Sequence, residues 1–219
     1  MAIVVFFGGL VTGCFLSMII EKISNIVANR KNNEKFITMI DSKEHKKCTE
    51  FTIRNIIVIL ISGLLFLISF LQIGLNVIFI QALVLNSILI VVSFVDIEHQ
   101  IIPNKIIIFT LATGFLFSFI DNISFMNSIV GMVLGGGLLL LLALVPGVLG
   151  GGDIKLMFAL GIFLGAKGVL LALFFAFVIA SIISILLLLF KIKNRKDYIP
   201  FGPFLALGSF IAFHFFNII

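Results

Sequence analysis

The stretch "GVLLALFFAFVIASIISILLLLF", residues 168–190, contains no charged side chain. A helix needs about 20 consecutive apolar residues to cross the hydrocarbon core of a bilayer. An isolated segment of this kind satisfies its backbone groups in lipid only as a helix. Comparable apolar runs recur along the chain on both sides of it. The stretch therefore predicts a transmembrane helix, and its recurrence predicts an all-α, polytopic membrane protein.

The composition agrees with this fold class. The chain has 219 residues, of which 61% are hydrophobic and 11% charged, whereas a soluble domain carries about 25% charged residues. Hydropathy predicts about eight spans in one integral-membrane domain (1–219), and these spans cover 2–20, 55–74, 76–95, 104–120, 125–148, 155–166, 168–190 and 201–219. The sixth is too short for a straight crossing of a ~30 Å core, so it is tilted, buried by neighbours or re-entrant.

The basic residues predict the orientation. They cluster in 22–54 and 191–196, and positively charged loops stay on the cytoplasmic side. The N-terminus is then outside, and the charge is a topology signal that gives no reason to expect a nucleic-acid partner. The segment 21–54 is the one sizeable predicted cytosolic piece, either a short helical hairpin or a solvated linker. The chain is expected in a cytoplasmic membrane, in contact with membrane lipid.

Two carboxylates fall at the predicted cytoplasmic face. Asp96 ends the third span in "SFVDIEHQIIPNK", and Asp153 begins the sixth in "GGGDIKL". An ionisable group at a membrane boundary is a candidate functional group by default. Two neighbouring carboxyls share a proton, so that one acts as general base on a water and the other as general acid. The pattern predicts aspartic-protease chemistry.

The residues around the two aspartates allow more than one interpretation. Gly150 and Gly152 permit unusual backbone conformations and the close approach of a substrate strand; alternatively they form a plain loop and Asp153 caps the next helix. Pro103 stops the helix that carries Asp96. The neighbouring Glu98 and His99 either assist proton transfer or are simply solvated.

Four segments, in order, resemble the motifs of bacterial type IV prepilin peptidases, a family of GxGD intramembrane aspartic proteases. They are "GCFLSMIIEKI" (13–23), "DIEHQIIPN" (96–104), "GGGDIKL" (150–156) and "IPFGPFLALG" (199–208). The resemblance implies an endopeptidase that cleaves the leader of type IV prepilins or type II secretion pseudopilins at the cytoplasmic face. It implies Asp96 and Asp153 as the catalytic pair, supported by Glu98, His99, Pro103, Gly150, Gly152, Lys155, Pro200, Gly202 and Pro203.

The same resemblance implies no cofactor for proteolysis. Many members also methylate the new N-terminus with S-adenosylmethionine, but the N-terminal motif departs from the family pattern at Cys14, Ser17, Lys22 and Ser24. These departures favour a peptidase with weak or no methyltransferase activity. Family members with a large cytosolic domain carry two CxxC pairs there, whereas 21–54 holds only Cys48, so no zinc site is expected.

Two alternatives remain open from the residues. Lys155 either interacts with an aspartate or substrate, or anchors its helix by extending its amine to the interface. A small ion-coupled transporter would also combine aspartates with glycine-interrupted helices. It would place them near the midplane and show internal repeats, whereas both aspartates here lie at one predicted face. The sequence does not indicate an oligomeric state.

Overall fold

The computed structural model describes residues 1–32, 44–120, 125–145, 149–192 and 199–216. Every regular element in these ranges is a helix, as predicted. The elements are α1 (Ala2–Asn32), α2 (Glu44–Ile73), α3 (Val77–His99), α4 (Asn104–Ser118), α5 (Phe125–Ala143), α6 (Gly151–Leu189) and α7 (Gly202–Phe216). Five of them, α1, α2, α3, α5 and α6, contain stretches long and apolar enough to cross a membrane. The prediction of a polytopic, all-helical membrane protein is confirmed at this level.

The chain divides into two compact units, Met1–Gly74 and Leu75–Ile219. The first unit is the pair α1 and α2. Gly9 and Gly13 of α1, one helical turn apart, bring its backbone against α2, where the Ser62 hydroxyl donates a hydrogen bond to the Gly9 carbonyl. Small residues at i and i+4 are the usual means of close helix packing in membranes. The prediction of one domain over 1–219 stays a prediction.

Both helices of the first unit extend past the predicted spans. The first span was predicted to end at residue 20 and the second to begin at 55, but α1 continues to Asn32 and α2 begins at Glu44. Lys, Glu and Asn limit the part of a helix that lipid can surround, but the polar stretch contains no proline that would end it. Hydropathy thus located the apolar parts of these helices and underestimated their length. Residues 33–43 of the predicted cytosolic segment lie outside the described ranges.

In the second unit, α6 contacts most of the other helices. Helices α4 and α5 both pack against it, α7 packs against α6 as well, and α3 contacts α7. Helices α5 and α6 approach each other closely: a Cβ on Gly131 would overlap the backbone at Gly161 and Gly165, and one on Gly135 would lie 2.8 Å from the Met157 carbonyl oxygen. Glycines on both helices therefore set the distance between them.

Helix α6 is interrupted at Gly165, whose φ of 64° and ψ of 179° lie in a region open to glycine alone. The backbone N–H of Ala166 donates to Asn127 Oδ1 of α5 at 3.2 Å. This bond satisfies a donor at the start of the second arm of α6, residues 166–189. The break separates the sixth and seventh predicted spans, whose boundary was placed at 166–168.

The two arms of α6 fold back on each other. Asp153, in the first arm (151–164), interacts with Asp96, and Asp96 bonds to Gly202. Phe201, beside Gly202, contacts the ring of Phe177 in the second arm, with centroids 5.3 Å apart. A continuous helix would separate residues 153 and 177 by about 36 Å. Both lie near the start of α7 because the chain reverses at Gly165.

Candidate active site

Asp96 lies in the last turn of α3, where it is 4% exposed. The helix ends just after it, because Gln100 takes a left-handed conformation (φ 56°) and donates its N–H to the Asp96 carbonyl at 2.8 Å. Pro103 then occupies the position before the first residue of α4. A left-handed residue and a proline thus turn the chain within four residues. Asp96 is fixed at the point where the chain reverses.

The carboxylate of Asp96 is held by the start of α7. Gly202, the first residue of that helix, donates its backbone N–H to Asp96 Oδ2 at 2.9 Å. The first N–H groups of a helix have no partner within the helix, and the positive end of the helix dipole favours a negative group there. A Cβ on Gly202 would lie 2.6 Å from the same oxygen. Glycine is therefore the residue that permits this contact.

Asp153 is the third residue of α6 and is 3% exposed. The backbone N–H of Gly150 donates a hydrogen bond to the Asp153 carboxyl group. Asp153 thus occupies the position that the acidic residue has in a capping box. The residue that caps α6 is Gly150, so the alternative in which Asp153 is the cap residue is wrong. The other oxygen, Oδ1, is buried and has no hydrogen-bond partner among the described residues. A buried unpaired acceptor is costly, so this atom is available to a water or a substrate.

The structure brings the two aspartates together. The charge on Asp96 acts on Asp153, although α3 and the start of α6 are separated in sequence by two further helices. Each carboxyl is anchored by one backbone group, Asp96 by Gly202 and Asp153 by Gly150. Such a buried pair can hold one proton between its members and exchange it with a bound water.

The glycines before Asp153 act by their small size. Gly150 has an ordinary extended conformation, with φ of −79°. A Cβ on Gly152 would lie 3.2 Å from Cβ of Ile102, in the segment between α3 and α4. The backbone at Gly151 has open space around it. The glycines were expected to leave room for a substrate strand. At Gly152 this room is occupied by Ile102 of the same chain.

The other predicted site residues lie around this pair. His99 was expected in a loop, but it is the last residue of α3, with its Nε2 3.7 Å from Glu98 Oε2. Lys155 donates from Nζ to Asn104 Oδ1 at 3.4 Å. Pro200 precedes α7, and Pro203 is its second residue, where a missing N–H leaves no helical bond unmade. Their roles in activity stay predictions.

Metal binding has no evident basis in the ranges that the structure describes, because no three His, Cys, Asp or Glu side chains there are grouped to hold an ion. The side chain of Cys48 lies outside the part that can be described.

Three contacts were not predicted from the sequence. They are the hydrogen bond from the Ala166 N–H to Asn127, the packing of Ile102 against Gly152, and the bond from the Gly202 N–H to Asp96. A break between the sixth and seventh spans was predicted at 166–168, but the conformation of Gly165 that makes it was not.

Comparison with known proteins agrees with the resemblance to type IV prepilin peptidases. Residues 83–185 match the family model described as the type IV leader peptidase family. The segment includes both aspartates and the Gly165 turn. It ends before Gly202.

Several curated relatives carry the name prepilin leader peptidase/N-methyltransferase. That of Bacillus subtilis (strain 168) is 33% identical over 158 residues, 70% of this chain and 63% of that protein. Those of Aeromonas hydrophila and Legionella pneumophila are both 30% identical, over 138 and 171 residues, which are 60% and 74% of this chain and 48% and 59% of theirs. The chain thus spans less than two thirds of these relatives. No solved structure matches it.

Proposed function

We propose that this chain, a member of the type IV leader peptidase family through residues 83–185, is an intramembrane aspartic endopeptidase. Its substrates are the leader peptides of type IV prepilins or type II secretion pseudopilins, cut at the cytoplasmic side of the membrane. The observation that carries the proposal is the convergence of Asp96 and Asp153, both buried, with one unpaired oxygen on Asp153. Because the relatives are named as peptidases, nothing supports the transporter alternative.

The chemistry follows from a shared proton. One carboxylate removes a proton from a water as that water attacks the scissile carbonyl carbon, and the protonated partner gives its proton to the carbonyl oxygen. As the C–N bond of the tetrahedral intermediate breaks, the carboxyl that took the proton from the water gives it to the leaving amine, and a hydroxyl of the intermediate returns a proton to the other carboxylate. The backbone bonds from Gly202 and Gly150 hold the two carboxyls in place throughout. The unpaired Oδ1 of Asp153 is where we place the water.

The helix boundaries place the pair at one end of the first arm of α6. Asp153 lies about 18 Å along that arm from Gly165. Asp96, in the last turn of α3, lies at the same cytoplasmic face in the proposed orientation. The second arm continues with apolar residues past the level of Phe177, up to Leu189. The pair is thus placed to cut a bond that adjoins a membrane-embedded segment.

We infer eight crossings, with the two arms of α6 counted separately, and an N-terminus outside. A single cysteine at Ile40→Cys, with Cys14→Ser and Cys48→Ser, is expected to resist a membrane-impermeant maleimide in intact cells, because the basic loop faces the cytoplasm. Lys167→Cys in the same background, at an exposed position beside the Gly165 turn, should be labelled. The reverse pattern would show that the orientation is wrong.

The decisive experiment for the proposed function measures the product. The chain is co-expressed with a prepilin, and the N-terminal mass of the pilin is determined. We expect removal of the leader, with little or no added methyl group because of the altered 13–24 segment. An unprocessed pilin at normal enzyme levels would contradict the peptidase proposal. A fully methylated N-terminus, with no other candidate enzyme in the cell, would overturn the inference about methylation and imply use of S-adenosylmethionine.

A further inference from the structure

A groove of about 650 Å³ opens between α4 and α5, with the first arm of α6 as its floor. The α4 wall is Asn104, Ile107, Ile108 and Leu111, and the α5 wall is Val133, Gly136, Gly137 and Leu140. Each set has the i, i+3, i+4, i+7 spacing of one helix face. The floor is Ile154, Lys155 and Phe158. The walls and floor are therefore apolar except at the end where Lys155 and Asn104 meet.

Helices α4 and α5 also meet beyond the groove. There the Ser118 and Ser128 hydroxyls are joined by a 3.2 Å hydrogen bond, and the rings of Phe119 and Phe125 stack at 5.5 Å. At the other end of the groove, which we call its mouth, Lys155 is exposed and bonds to Asn104 at 3.4 Å. No carboxylate pairs with Lys155 in the described part of the chain. An apolar slot with a cation at its mouth complements an acyl chain attached to an anionic headgroup.

The groove faces away from the catalytic pair. Two steps along a helix turn the side-chain direction by about 200°, so Lys155 points away from the side on which Asp153 meets Asp96. A substrate helix bound in the groove would be separated from the two carboxyls by α6, so its scissile bond would not reach them. A bound lipid does not have to reach the carboxyls.

We propose that this groove is a binding site for an anionic phospholipid, with Lys155 holding the headgroup phosphate and the apolar walls holding an acyl chain. In the proposed orientation its mouth faces the cytoplasmic leaflet. Basic pockets between membrane helices on that side bind anionic headgroups. In this proposal Lys155 binds the lipid headgroup and does not contact the aspartates. Gly137 has open space around its backbone, and its lack of a side chain leaves the groove wide enough for the acyl chain of the lipid.

Native mass spectrometry of the full chain, released from micelles with equimolar phosphatidylglycerol and phosphatidylcholine, tests the site. We expect a preference for phosphatidylglycerol that falls about fivefold in Lys155→Gln, because one lysine near a membrane surface contributes about 1 kcal/mol to anionic lipid binding. Lys167→Gln, which removes an exposed lysine of the same helix away from the groove, is the matched control and should retain the preference. An equal preference in wild type and Lys155→Gln would overturn the proposal.

A second variant tests the slot itself. Gly137→Leu extends a side chain into the groove and should reduce retained phosphatidylglycerol severalfold, while thermal unfolding in micelles confirms that the protein remains folded. Undiminished lipid retention by folded Gly137→Leu would contradict the site. A photo-crosslinking residue at Leu140 distinguishes the occupant: attachment to phosphatidylglycerol supports the proposal, and attachment to a co-expressed prepilin would replace it with a substrate-docking site. These readouts do not depend on peptidase activity.

Discussion

Asp153→Asn is expected to reduce prepilin processing about a thousandfold, because the amide keeps the shape of the side chain but cannot exchange the proton that hydrolysis requires. Asp96→Asn should be equally damaging. If the two carboxyls act on one water, neither replaces the other, and the double variant should be scarcely worse than either single one. All three variants should still insert, because removing a charge does not raise the cost of membrane insertion.

The measurement is a gel-shift assay of prepilin processing at matched membrane levels of the enzyme. Asp121→Asn and Asp197→Asn serve as controls. Both residues lie outside the described ranges, and the sequence places Asp121 in an outer loop and Asp197 among the lysines of a cytoplasmic loop. Glu98→Gln should give an intermediate loss, since Glu98 is paired with His99 near Asp96. Substantial activity in Asp153→Asn would refute the catalytic pair.

The pairing of these aspartates could be predicted because it depends on their position relative to the membrane surface. Hydropathy indicates that position through the ends of the apolar runs. Asp96 was predicted at the end of one span and Asp153 at the start of another, both at the same face, and the structure brings them into electrostatic contact. The anchoring of Asp96 by Gly202 was not predictable in the same way. A backbone N–H is common to all residues except proline, so the donor itself leaves no trace in the sequence.

The helix boundaries show a second limit. Hydropathy measures where lipid can surround a helix, and it therefore missed the polar extensions of α1 to Asn32 and of α2 from Glu44. It also separated two apolar runs at 166–168 as successive spans, but it did not identify Gly165 as the residue at which the chain turns. The reversal depends on a backbone conformation of one glycine and on its neighbour Asn127 in α5, a contact between residues far apart in sequence.

Lys155 belongs to the same motif as Asp153 but lies on a different face of α6. It lies two residues from Asp153, so proximity in sequence suggests a role beside the carboxyls. The helical turn between them directs the lysine to the far side of α6, where it meets Asn104 at the mouth of the groove. Two residues of one helical motif can thus lie on different faces of the helix. The face on which a residue lies has to be known before its role can be assigned.

Gly202→Ala is expected to lower processing about a hundredfold with normal insertion, the size of loss that follows when a catalytic group is displaced by about 1 Å. The added Cβ would lie 2.6 Å from Asp96 Oδ2 and 3.0 Å from its Cγ. Either the carboxylate rotates away and loses its bond to the Gly202 N–H, or the start of α7 moves and takes that donor with it. Both displace Asp96 relative to Asp153.

Gly151→Ala is the matched control, because its Cβ meets nothing within 4 Å although the residue lies two positions from Asp153. It should keep most of the activity, and Gly152→Ala, whose Cβ would be 3.2 Å from Ile102, should fall between the two. The assay is initial processing rate at equal enzyme levels, with thermal unfolding in micelles to confirm that α7 remains packed. Full activity in Gly202→Ala would mean that the position of Asp96 does not depend on the start of α7, and that the 2.9 Å bond between them has no part in catalysis.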